Sequence, residues 1–160
     1  MNCPNCGAPM QLKPELDSFR CGYCQSVYLP DRNDDGVRVL DEPANQNCPV
    51  CQTPLVQAAI AKIRIVYCTA CHGMSVPMPA LEALAEEWEG PAHAAIAPAA
   101  PDKRDLSRKI GCPRCHRPMD AHYYAGPGNV IIDSCEDCLL IWLDHGELQR
   151  IVHARRLQQA

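Results

Sequence analysis

The sequence predicts a small, metal-stabilised α+β fold built from three tandem units, and three observations predict it. Twelve of the 160 residues are cysteine, and every one belongs to a C-x-x-C pair. Aromatic residues make up 5% and charged residues 21%, with 15 prolines, so one large apolar core is not on offer. The phrases around the cysteine pairs repeat three times along the chain.

The pairs are Cys3/Cys6, Cys21/Cys24, Cys48/Cys51, Cys68/Cys71, Cys112/Cys115 and Cys135/Cys138. A C-x-x-C turn aims two sulfurs at one ion, and two such knuckles complete a tetrahedral four-thiolate site with no open position. Fourteen, sixteen and nineteen residues separate successive couples of knuckles, while 23 and 40 residues separate one couple from the next. Sequential pairing therefore gives three zinc ribbons and three Zn2+ ions, each held by four cysteines. Cross-bracing of the first four knuckles is the other arrangement that the spacing allows. Rubredoxin-like iron and redox-active dithiols are the alternatives to structural zinc, and six matched pairs favour zinc.

The domain plan is ribbon 1 at 1–30, an acidic linker at 31–47, and ribbon 2 with a helix at 48–89. An Ala/Pro-rich linker follows at 90–109, then ribbon 3 with a C-terminal helix at 110–160. Each ribbon opens with a similar phrase: Cys3-Pro4-Asn5-Cys6-Gly7-Ala8-Pro9-Met10, Cys48-Pro49-Val50-Cys51-Gln52-Thr53-Pro54-Leu55 and Cys112-Pro113-Arg114-Cys115-His116-Arg117-Pro118-Met119. The first Pro fixes φ in the knuckle. The second precedes an apolar residue placed to cover the metal. In the closing phrases Tyr28, Ser75 and Trp142 fall at one position. Units this small lack a sufficient core, so the metal supplies folding energy.

In ribbon 1, Ser18–Arg20 and Val27–Leu29 are strand-like, and no helix is evident. In the first linker Val37–Leu40 has the pattern of a short strand. In ribbon 2, Ile60–Tyr67 is a strand, and Pro79–Glu89 is a helix with Leu81, Leu84 and Trp88 as its apolar stripe. In ribbon 3, Ala121–Tyr124 and Val130–Asp133 are strands around the turn Gly126-Pro127-Gly128-Asn129. Ile141–Leu143 is a third strand. Asp144 and Glu147 have the spacing of a capping box, opening a helix with Leu148, Ile151, Val152 and Leu157 on one face. Trp142 is expected in the core, over the zinc and under this helix. The 40-residue gap predicts a third ribbon more loosely tethered than the first two, unless its helix docks back.

The third ribbon resembles the TFIIB-type zinc ribbon family. Its CPRCHRPM and DSCEDCLLIWLDHGELQRI fit the family's CPxCxxxL and CPxCGGIWLDxGEL, and the match spans Cys112 to Ile151. It departs where Leu139 and Leu140 replace two glycines and Glu136 replaces Pro. Ribbon 2 is similar to a degenerate copy, and ribbon 1 to a generic zinc ribbon. The resemblance implies zinc binding and a ribbon fold. It implies transcription only by name, and in the namesake the ribbon docks on a protein surface.

Formal charge is −4, and it becomes −10 once twelve thiolates and three Zn2+ are counted, which argues against general nucleic-acid binding. Only residues 91–160, with nine basic and eight acidic groups, offer a basic face. Nucleic acid is therefore the alternative partner, through residues 103–156: Lys103, Arg104, Arg108, Lys109, Arg114 and Arg117, then Arg150, Arg155 and Arg156. Tyr123 and Tyr124 have the chemistry to stack on bases. The favoured reading is a non-enzymatic module with a protein partner. His72 and His116, each following a knuckle, are read as supports for the sulfurs. Asp144, His145 and Glu147 are read as a helix start, not a catalytic set. No run of 18 apolar residues exists, so no membrane span is expected. Cys3 and Cys6 leave no room for a cleaved signal peptide ahead of them, and thiols persist in the cytoplasm, which is the expected location.

Overall fold

A computed structural model of the chain describes residues 1–13, 17–88 and 100–159, with only the backbone of residue 41. Ribbon 1 is a three-stranded antiparallel sheet of β1 (Met10–Lys13), β2 (Ser18–Cys21) and β3 (Val27–Tyr28) in that order. Residues of the other two ribbons and of the 31–47 segment form one seven-stranded antiparallel sheet. Its strands are β4 (Arg38–Asn47), β5 (Pro54–Ile60), β6 (Ile63–Tyr67), β7 (Met74–Pro77), β8 (Asp120–Tyr123), β9 (Ile131–Cys135) and β10 (Leu140–Leu143), in the order β4-β5-β6-β7-β10-β9-β8. The helices are α1 (Leu81–Glu87), led in by a 3-10 turn at Met78–Ala80, the short α2 (Lys103–Ser107), and α3 (Glu147–Gln159).

The sheet is two ribbons joined edge to edge. Its seam pairs Met74 with Leu143, Ser75 with Trp142, Val76 with Ile141 and Pro77 with Leu140. Ser75 and Trp142 hold equivalent places after their knuckles and face each other, so the seam has the symmetry of an antiparallel homodimer within one chain. An exposed strand edge seeks a partner, and each ribbon supplies the other's.

Alternation along the strands sorts the side chains onto two faces. On one face Ile141 and Leu143 join Tyr67, Met74 and Val76 beneath α1 and α3, with Leu84, Trp88, Leu148, Ile151 and Val152 buried. On the other, Leu140 and Trp142 join Leu55, Met119 and cysteines of both ribbons. Trp142 thus covers the metal sites but faces away from the helices, because its strand neighbours occupy the helical side. A third cluster, Cys3, Met10, Phe19 and Cys21 with Leu40 and Ala59, seats ribbon 1 on β4 and β5.

Several sequence expectations change. Ile60 ends β5 and does not begin a strand: Ala61, at φ 52°, turns the chain into β6. The 31–47 linker contains β4, paired with β5 through two irregularities in register. The 90–109 linker contains α2, capped by Asp102, which accepts from the Arg104 N–H at 2.9 Å; residues 90–99 of that linker, and Glu89 of the helix expected in ribbon 2, lie outside the described residues. The third ribbon is bound into the sheet, and α3 docks back on α1, where Arg155 lies 3.5 and 3.7 Å from Glu82 and Glu86. Leu157 is exposed, beyond the part of α3 that meets the sheet.

Candidate metal centres

Five of the six knuckles share one hydrogen-bonded turn, and all six share a left-handed residue after the second cysteine. The N–H of the residue after the second cysteine returns to the carbonyl of the first in five of them: Gly7 to Cys3, Gln25 to Cys21, Gln52 to Cys48, His72 to Cys68 and His116 to Cys112, at 2.8–3.1 Å. In the sixth, Leu139 donates to the Glu136 carbonyl at 3.3 Å. All six of these residues have φ between 52° and 75°. Five are not glycine, so those five knuckles carry left-handed strain, and Gly7 relieves it in the first. At Leu139, where the sequence departs from the family pattern, the left-handed φ of 52° is kept but the turn hydrogen bond shifts to the Glu136 carbonyl.

The knuckles pair sequentially, not cross-braced. The sets are Cys3, Cys6, Cys21 and Cys24; Cys48, Cys51, Cys68 and Cys71; and Cys112, Cys115, Cys135 and Cys138. Sulfur–sulfur separations are 3.6 Å for Cys3–Cys24, 3.5 Å for Cys6–Cys21 and Cys48–Cys71, 3.4 Å for Cys51–Cys68 and 3.7 Å for Cys115–Cys135. A tetrahedron with Zn–S near 2.3 Å has edges of about 3.8 Å, so the sets fit Zn2+. No disulfide competes, since all twelve cysteines are free. Zinc bound there supplies structural cross-links.

Local donors prepare the thiols. The Ser26 hydroxyl, 3.1 Å from Cys24 Sγ, brings that thiol down to about 5. Thr53 Oγ1, 3.3 Å from Cys51 Sγ, brings its partner to about 6. The Arg117 backbone N–H brings Cys115 to about 7. Within each set these lowered thiols face raised ones, Cys6, Cys71 and Cys138, which burial and the neighbouring sulfurs push up. The apolar residue after the second Pro covers its metal as expected: Met10, Leu55 and Met119 are all buried.

Around ribbon 3 the capping box is half made. Glu147 Oε2 accepts from the Asp144 N–H at 2.8 Å. The Asp144 carboxylate is taken elsewhere, accepting from Trp142 Nε1 at 3.0 Å and Arg108 Nη1 at 2.6 Å. Arg108 also donates to the buried Asp133 at 2.5 Å, so the end of the Ala/Pro-rich connection is clamped onto ribbon 3.

His72 and His145 do not serve the thiolates. Both turn to the Asp35 carboxylate, at 2.6 Å from His72 Nδ1 and 3.1 Å from His145 Nε2. The Tyr67 hydroxyl donates to the same carboxylate at 2.6 Å. Asp35 sits on a turn in which Asn33 Oδ1 accepts from the N–H groups of Asp35 and Val37. Sequence reasoning singled out both histidines but left Asp35 in a linker. The Asn-Asp-Asp-Gly turn signal was the visible clue.

Residues 111–154 match the family model described as transcription factor zinc-finger, the TFIIB-type zinc ribbon. Comparison with curated proteins and with solved structures gives no match. The third ribbon therefore agrees with the TFIIB-type family in motif, ligand set and fold, and the chain carries it beside two further four-cysteine zinc ribbons.

Proposed function

We propose that this zinc-ribbon chain is a non-enzymatic cytoplasmic scaffold that engages a protein partner through ribbon 1. The observation that carries the reading is apolar surface on that ribbon. Tyr23, in the knuckle turn between β2 and β3, is 83% exposed; Val27, on the edge strand β3, is 64% exposed, and Leu29 just after it is exposed too. An edge strand with exposed apolar side chains suits addition of a strand or loop from another protein.

Four of the nine basic groups between residues 103 and 156 are engaged by carboxylates of the chain. Arg104 pairs with Asp102, Arg108 with Asp133 and Asp144, Arg117 with Asp137, and Arg155 with Glu82 and Glu86. Closed four-thiolate sites offer no coordination position for catalysis.

Two measurements test this. A photo-crosslinking residue at Tyr23 should trap a discrete protein adduct in cells, and Val27→Glu should abolish it. Titration of the zinc-loaded protein with DNA and RNA should show no binding near physiological salt. Micromolar binding with a steep salt slope would replace this reading with the nucleic-acid one.

A further inference from the structure

Outside the thiolate sets, one group of metal-ligating side chains converges among the described residues. Asp35, His72 and His145 each offer a ligand atom, and these atoms lie within 4.8 Å of one another. We propose that they form a fourth metal site, one that takes a single divalent first-row transition ion and leaves coordination positions open to solvent.

The donor set is two imidazoles and one carboxylate, a combination suited to Zn2+, Co2+ or Fe2+ and incomplete by itself. The ligands come from three separate segments: the turn before β4, the last knuckle of ribbon 2, and the loop between β10 and α3. The carboxylate is the anchored member. Its side chain is 7% exposed, whereas those of His72 and His145 are 46% and 60% exposed. One side of the site is therefore protein and the other is water, which is where open positions would lie.

Supporting groups hold the carboxylate as ligating carboxylates are held. The Tyr67 hydroxyl donates to Asp35 Oδ2 and receives the Asn33 amide at 3.2 Å. The Trp88 indole N–H donates to the Asp35 carbonyl at 2.9 Å, fixing the backbone. The imidazoles approach with different nitrogens, Nδ1 of His72 and Nε2 of His145, with ring centroids 5.1 Å apart. An ion between them would replace the two imidazole–carboxylate hydrogen bonds with three metal bonds. Burial pushes the Asp35 carboxyl up, and the Tyr67 and His72 contacts outweigh it and keep Asp35 ionised.

The site is independent of the docking face on ribbon 1, so either proposal can fail alone. The test loads the full chain with three Zn2+, removes excess metal and titrates with Co2+, followed by calorimetry and visible absorption. One further equivalent should bind, with the weak bands of nitrogen and oxygen ligation. His145→Ala, at an exposed position, should retain three Zn2+ and lose that equivalent. Tyr67→Phe should retain it with about tenfold weaker affinity. Three outcomes would overturn the proposal: no fourth equivalent, a fourth equivalent that survives in His145→Ala, or sulfur-to-cobalt charge transfer, which places the ion at the thiolates.

Discussion

The Trp142 indole of ribbon 3 fills the space that Gly73 of ribbon 2 leaves open. A Cβ on Gly73 would stand 2.4 Å from Trp142 Cζ2 and 3.0 Å from Cε2. One side chain therefore closes the core between two ribbons. Gly73→Ala should overpack that core and cost about 1–3 kcal/mol. Trp142→Ala should cost about 3–5 kcal/mol by leaving a cavity. Urea unfolding of the zinc-loaded protein measures both. An unchanged midpoint for Gly73→Ala would mean that the ring has room to move.

The second and third metal sites share their core through the same indole, since Cys48, Cys68, Cys112 and Cys135 pack in one cluster with Trp142. Cys135→Ser should therefore loosen ribbon 2 as well as ribbon 3, raising amide exchange in β6 and β7. Cys21→Ser should leave exchange in the seven-stranded sheet much less affected, because ribbon 1 has a separate core that meets it through Leu40 of β4 and Ala59 of β5, with an ion pair from Asp17 to Arg64 of β6. Equal effects of the two variants would contradict this coupling.

Leu139 sits 55% exposed at φ 52°, so it has strain to release and little burial to lose. Relief of about 1–2 kcal/mol outweighs the extra freedom that glycine gives the unfolded chain, about 0.4–1 kcal/mol. Leu139→Gly should raise the urea midpoint by about 0.5–1 kcal/mol of stability at unchanged zinc content.

Arg108 pairs with Asp133, which is 1% exposed, and among the described residues no other cation does so. Arg108→Ala should cost about 3 kcal/mol at neutral pH by stranding a buried carboxylate. Asp133→Asn in the same chain should restore part of the loss. A double variant no more stable than Arg108→Ala would show that the clamp on the chain, not the charge, is what matters.

Burial lifts the Glu147 carboxyl from its ordinary 4.5 to about 8. The folded state holds this proton more tightly than the unfolded chain does. Its stabilising contribution is complete below the unfolded value and is lost as pH rises toward about 8. Glu147→Gln keeps an oxygen acceptor for the Asp144 N–H and removes the titration. Relative to the wild type it should gain about 2 kcal/mol between about pH 6 and pH 8, read from urea midpoints. A pH-independent difference would show that Glu147 is ionised throughout.

The sequence by itself determined the local chemistry. The C-x-x-C spacing set the ligands and favoured sequential couples, with the choice against cross-bracing of the first four knuckles left to the tertiary structure, and the second Pro of each opening phrase located the residues that cover the metal. The WLD and GEL phrases located β10 and α3. These are short-range features, where a knuckle or a helix start is specified by residues within a few positions. Tertiary structure decided the rest. β5 was hidden because its alternation is weak and Ala-rich, and of β4 only the start, within Val37–Leu40, was legible, because a strand with Pro43 reads as a linker until a partner pairs with it. The joining of ribbons 2 and 3 rests on a seam between Ser75 and Trp142, 67 positions apart. Such pairing depends on matched edges and shape, which no local pattern records. The meeting of Asp35, His72 and His145 has the same origin: three segments converge only once the sheet is whole.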